Sequence, residues 1–248
     1  MDDIIFRCSS LPDLAKPKGL GVTGQKTAIH TYIEQTKGRF KEIKSKYLTK
    51  GNENEQVAID LVNEVLGTKY VKNQVRLTNM FITGECDVED VEEISDIKCS
   101  WDIFTFYDAI TSNGDDYEFQ LRGYMELYDK PKARVIYCLT DTPHLMLNDM
   151  LQREAKYNWN DDLPDLVAIR MIKNYLFDLD NFHEFIDQFP LNKQSVIHQI
   201  NSFVHIPKKE RIYEFNFERN QAKTDFIYGR IKEARTFLDK YFNNKKLW

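Results

Sequence analysis

Two spacings of apolar residues succeed each other along this chain. Residues 49–67 put Val57, Ile59, Leu61, Val62, Val65 and Leu66 on one helical face, and Gly67 stands where such a helix stops. From Gln25 to Tyr47 the pattern is also helical and amphipathic, with lysines on its polar side. Residues 1–25, rich in Gly, Pro and Ser, predict a short helical turn followed by a loop. The period then falls to two. Residues 69–79, 81–90 and 92–101 alternate apolar with polar side chains and predict three consecutive antiparallel strands. Residues 116–129 return to helical spacing, with Phe119, Tyr124, Leu127 and Tyr128 inward and Arg122 on the opposite, exposed side. Residues 133–143 form an unbroken apolar run of strand length, which suits a strand covered on both faces. Helical spacing resumes beyond Pro143 up to about Phe203; residues 211–219 alternate as a last strand, and residues 220–242 close in a long helix. This order predicts one α/β domain over residues 1–248, with a central mixed sheet flanked by helices and additional C-terminal helices.

A chain of 248 residues can bury a full core, and 42% hydrophobic with 29% charged residues is ordinary globular composition. Its apolar runs fall far short of the ~20 residues that cross a bilayer. The opening residues lack the basic and apolar segments of a signal peptide. The expectation is a cytoplasmic protein with no membrane partner. Cys8, Cys86, Cys99 and Cys138 are scattered without a CxxC pair, which argues for free thiols and against structural zinc or an iron–sulfur cluster. A net charge of −5 does not suit a passive nucleic-acid coat. It does suit carboxylates that hold divalent cations while local bases meet phosphate.

The chemistry concentrates in residues 84–100, which carry seven acidic side chains and one lysine. Glu85, Glu89, Asp90, Glu92 and Glu93 fit a solvated hairpin. Asp96 and Lys98, two apart in a strand, project from the same face, and a short connection lets Asp87 come alongside. Two carboxylates aimed at one point repel unless a cation lies between them, and oxygen donors suit Mg2+ or Mn2+. The backbone carbonyl of Ile97 offers another hard oxygen. Such an ion polarises a phosphate and activates water. Lys98 is placed to orient or deprotonate that water and to offset transition-state charge. Glu55, near the start of the helix at 49–67, can complete the metal shell. Glu53 is its rival, and an acid in a first helical turn also serves the helix dipole alone. Gln120 and Tyr124 sit one turn apart, Tyr124 as core or as a DNA-facing ring. Arg7, Ser9 and Ser10 suit a terminal phosphate at a helix start, or a plain N-cap. His30, His144, His183, His198 and His205 stand singly, and Lys208, Lys209 and Arg211 read as a solvated turn.

In this order and spacing the chain resembles the PD-(D/E)xK nuclease superfamily over about residues 50–140. Within it, the likeness is to phage recombination exonucleases related to lambda exonuclease, YqaJ and RecB-type nuclease domains. That family carries a glycine four residues before a helical acid, here Gly51 and Glu55, then an aspartate on the next strand, here Asp87. An acidic-x-Lys strand follows, here Asp96-Ile97-Lys98 before Cys99, and then a glutamine with an aromatic four residues on, here Gln120 and Tyr124. Asp96 departs from the glutamate more usual in the phage relatives, with a shorter arm. The resemblance implies a restriction-endonuclease-like core and metal-dependent hydrolysis of DNA, with Glu55, Asp87, Asp96, Lys98 and Gln120 as the catalytic set. It further implies 5'-to-3' digestion of linear duplex DNA in phage recombination, a single-strand annealing partner and assembly as a homo-oligomer. An endonuclease on the same core and a catalytically silent DNA-binding scaffold are the alternatives.

Overall fold

The computed structural model describes residues 1–42, 45–112 and 114–245. Among the described residues, seven strands form two sheets. In the smaller, β1 (Phe6–Arg7) pairs in parallel with β3 (Ile82–Gly84), and β2 (Leu77–Thr78) pairs antiparallel with β3. The larger runs in the order β4 (Val88–Glu89), β5 (Glu93–Cys99), β6 (Lys132–Cys138), β7 (Ile212–Glu218). Its central pair β5–β6 is parallel and its outer pairs are antiparallel. The expected mixed α/β architecture is present, but divided between two sheets. The division falls between Gly84 and Val88, so residues 81–90 make two short strands instead of one. Of residues 69–79 only Leu77 and Thr78 are strand. Alternation alone did not hold them in a sheet, because their apolar side chains Val71 and Val75 are exposed and have no core to face.

Helices cover both faces of β5 and β6. On one lies α3 (Lys46–Leu66), whose Ala58, Ile59, Leu61 and Val62 pack on Ile97, Ile136 and Cys138. Val57 and Leu66 turn outward, against the sequence expectation, and buried Lys50 and Asn54 take the places nearer the N-terminus. The preceding helix, α2 (Gly21–Lys37), starts earlier and stops earlier than its amphipathic pattern implies, with Gly38 in a left-handed conformation. Tyr47 therefore belongs to α3. On the opposite sheet face lie α4 (Ile103–Thr111) and α5 (Glu118–Leu127), with the main core of Ile94, Leu121, Met125, Val135 and Tyr137. Tyr124 and Tyr128 point inward as expected. Arg122 does not point outward: it is buried, bound to Glu118 and to the carbonyl of Glu218.

The N-terminal segment folds onto α5 through a 3-10 turn at Cys8–Ser10 and the single-turn α1 (Leu11–Leu14). Its approach depends on two glycines. A Cβ at Gly84 would lie 2.6 Å from the Tyr124 ring and 2.8 Å from Cys8 Sγ, and one at Gly123 2.7 Å from Leu11 and 2.8 Å from Cys8 Sγ. Four helices, α6 (His144–Asn158), α7 (Asp165–Tyr175), α8 (Leu179–Gln188) and α9 (Ile197–Asn201), build a separate apolar cluster before β7. The long α10 (Gln221–Lys245) packs back on α2 and α5. Arg211 is buried against the carbonyls of Ile206 and Phe177, so only its lysine neighbours make a solvated turn. All four cysteines are free thiols, and no helix among the described residues is long and apolar enough to cross a membrane.

Candidate active site

The site grows from one irregularity of the large sheet. Edge strand β4 is two residues long and pairs only with Ile94 and Ser95, so the edge of β5 beyond Ser95 has no neighbouring strand. Asp87, immediately before β4, fills part of that gap: its Oδ2 accepts a hydrogen bond from the Ile97 backbone N–H at 2.5 Å. In a strand the N–H and C=O of one residue point to the same side, so the Ile97 carbonyl faces the same open edge. Alternation puts the Ile97 side chain under α3, while Asp96 and Lys98 share the face toward α5.

Asp96 is 1% exposed. Its Oδ1 accepts from Gln120 Nε2 at 3.0 Å, and the same nitrogen lies 3.3 Å from Tyr124 Oη. The other oxygen, Oδ2, is 2.6 Å from Lys98 Nζ but receives no aligned hydrogen bond. Burial costs Lys98 solvation, yet the Asp96 and Asp87 carboxylates outweigh it and hold the ammonium more firmly protonated than usual. Desolvation is also the chief influence on Asp87; with repulsion from Asp96 it pushes this carboxyl up to about 7, against the pull of Lys98 and the Ile97 N–H. A buried oxygen without an aligned donor, a second carboxyl that resists ionising beside it and a nearby backbone carbonyl form a hard-oxygen donor set. That set fits Mg2+ or Mn2+.

Glu55 lies in the middle of α3, not in its first turn, so a service to the helix dipole does not explain it. It lines the same cleft of about 490 Å³ as Asp87, Ile97 and Lys98, whereas Glu53 is exposed outside it. The Glu55 carboxylate is ion-paired with Lys72, and among the described residues no three His, Cys, Asp or Glu side chains converge on one point. Glu55 is therefore next to the Asp87–Asp96 pair without joining it. Arg7, Ser9 and Ser10 do not line this cleft. Arg7 pairs with Glu34 at 3.2 Å, and Ser10, at the N-cap of α1, makes no side-chain capping bond. The hairpin acids are less free than expected: Arg134 holds Glu93, Lys130 holds Glu89 and Arg76 holds Glu85.

Several residues in and around the cleft carry no signal in the sequence. Tyr117, just before α5, places its ring 5.0 Å from Lys98 Nζ. Lys72 comes from a stretch whose alternation pointed to a strand. Lys50 is buried at 1% exposure, donating to the Trp101 carbonyl at 2.8 Å, and burial lowers its ammonium to about 8. Neither lysine stands two residues from an acid in a strand pattern, the spacing that makes Lys98 legible.

A buried carboxylate, a second on the adjoining edge and a lysine two residues on are thus brought together beside a helical glutamine. No family profile and no curated protein matches this chain. Among solved structures, it is similar to a phage-related exonuclease from Haemophilus somnus 129PT, at 27% identity and a TM-score of 0.69, over 98% of this chain and 96% of that one. It is also similar to an alkaline exonuclease, LHK-Exo, from Laribacter hongkongensis, at 10% identity and a TM-score of 0.60, over 99% and 93% of the two chains. LHK-Exo in complex with dAMP gives 12% identity, a TM-score of 0.59 and the same coverage. At such low identity the last two show a shared fold. The resemblance to phage exonucleases thus extends over nearly the whole chain, beyond the residues that first carried it.

Proposed function

We propose that the protein is a magnesium- or manganese-dependent deoxyribonuclease that degrades linear duplex DNA from its ends, with 5'-to-3' polarity. The observation that carries this reading is the packing of Asp87, Asp96 and Lys98 about the stretch of β5 that β4 leaves unpaired. Asp87, Asp96 and the Ile97 carbonyl would hold the metal, and Glu55 would join them on release from Lys72. A bound divalent ion supplies Lewis acidity toward the phosphate and lowers the pKa of a water. Lys98, kept protonated between two carboxylates, orients that water and meets the charge that builds on the phosphoryl oxygens. Gln120 fixes the rotamer of Asp96 and leaves Oδ2 directed at the site. By resemblance, the single strand left behind feeds an annealing protein, and copies of the chain assemble in the cytoplasm of a bacterial host.

The test compares linear duplexes with closed-circular DNA, each with Mg2+, Mn2+ or EDTA. Linear DNA shortens from its ends only with metal, and circles persist. Survival of linear DNA with either metal overturns the proposal, and cutting of circles reassigns the site to an endonuclease.

A further inference from the structure

The cleft wall contributed by α3 is a stripe. Tyr47 and Leu48 stand at the helix start, Gly51 and Asn52 follow one turn on, and Glu55 follows after another. The stripe thus runs about 12 Å along the helix axis between residues 47 and 55, a little over two turns. Nothing fills its middle, since a Cβ at Gly51 would meet no atom within 4 Å. Tyr47 is 56% exposed and Leu48 50%, a cost in apolar surface that the fold does not recover.

Tyr47 is nonetheless held in place. Its ring meets buried Trp101 edge-on at 5.0 Å between centroids, and Trp101 in turn meets Tyr175 edge-on at 5.4 Å. Lys46 Nζ sits 4.5 Å from the Trp101 ring centre and 5.5 Å from that of Tyr47. Among the described residues this ammonium has no carboxylate partner. The first turn of α3 contains no acid, and Ser45 gives it no side-chain cap. An exposed, braced aromatic face beside a cation free to take a phosphate is the pairing that unpaired nucleotides recognise. A paired, stacked base offers no face to such a ring.

We propose that Tyr47, backed by Trp101 and accompanied by Lys46, is a stacking platform for an unpaired base near the phosphate bound in the cleft. The strand being processed is then held locally single-stranded. This deepens the nuclease reading and rests on it. Tyr47 contacts substrate, Lys46 contacts the adjoining phosphate, and Trp101 positions Tyr47.

The test measures binding of short single-stranded oligonucleotides by fluorescence anisotropy in the Lys98→Ala background with Mg2+. Each oligonucleotide is intact or carries one abasic residue, scanned along its length. Tyr47→Ala weakens the intact oligonucleotide about tenfold, within the range for loss of one base–aromatic stack. It causes no further loss when the abasic residue occupies the stacking position. Tyr47→Trp retains the affinity, which separates stacking from a folding defect. Lys46→Ala weakens intact and abasic oligonucleotides alike and lowers the salt slope by about one. The proposal is overturned if Tyr47→Ala binds the intact strand like the parent, or if every abasic oligonucleotide loses as much as the intact one. Failure of the nuclease reading is a different result: linear DNA survives the wild-type protein, and the platform loses its site as well.

Discussion

The sheet half of the molecule and the helical cluster α6–α9 bury their interiors in opposite ways. Between His144 and Phe203 no described polar or charged side chain is buried; Leu151, Ile169, Phe182 and Phe185 fill the space, with Phe203 stacked on Phe182 at 3.9 Å. Around β5 and β6 the interior holds Lys50, Asn54, Ser95, Asp96, Gln120, Arg122 and Arg134. Each must be matched by a partner or it destabilises the fold. Arg134 is fully engaged by Glu93, Glu214 and Ser95. Asp96 Oδ2 has no aligned donor, and Asp87 lines the cleft. Buried charge without a full complement of partners sets apart the half that carries the proposed site, and the helical half shows what the chain does when stability alone is at stake.

Four changes sharpen that contrast, the largest first. Phe182→Ala leaves a cavity in the helical cluster and lowers unfolding free energy by about 3–5 kcal/mol in denaturant titration, with the rate per folded molecule unchanged. Lys98→Ala acts on the chemistry: it lowers the rate of linear DNA digestion per folded molecule by about 10²–10³-fold, and by removing the ammonium beside buried Asp96 it also lowers the denaturation midpoint.

Asp87→Asn separates the two currents in one residue. The folded-state pKa of Asp87, about 7, lies above the ordinary value of 3.8, so the folded protein binds the proton more tightly than the unfolded chain. The stability this contributes is complete below about pH 4 and is lost as pH rises through 7. The metal-free Asn variant is therefore the more stable by about 3 kcal/mol at pH 8, after discount for partial solvent contact, and equal to wild type near pH 4. Added Mg2+ raises the melting temperature of wild type only.

Lys50→Met carries the smallest effect and the opposite slope. Burial lowers Lys50 from 10.5 to about 8, so the unfolded chain holds a proton there that the folded protein gives up. Wild-type stability relative to the Met variant then rises between about pH 8 and 10.5, by about 2–3 kcal/mol. A flat difference across that window would break the assignment of Lys50 as a buried, uncompensated cation.

Local periodicity was enough to reveal β5, β6, β7, α5, α10 and the helical run after Pro143, because each buries a face whose spacing is its own. Strand alternation likewise put Asp96 and Lys98 on one face, whereas Gln120 was singled out by its one-turn spacing from Tyr124 and by the family resemblance. What lies at element ends was not legible. The split of the sheet at residues 85–87 comes with contacts to Asn73, far outside that stretch, while α2 stops early at the left-handed Gly38. The burial of Arg122 and Arg211 also involves distant segments, since their partners include the carbonyls of Glu218 and Phe177. The pairing of Lys72 with Glu55, the ring of Tyr117 beside Lys98 and the platform at Tyr47 were decided only by tertiary packing. Sequence spacing specifies which face a side chain shares with its own element; which distant charge or ring meets that face depends on how the elements close on one another.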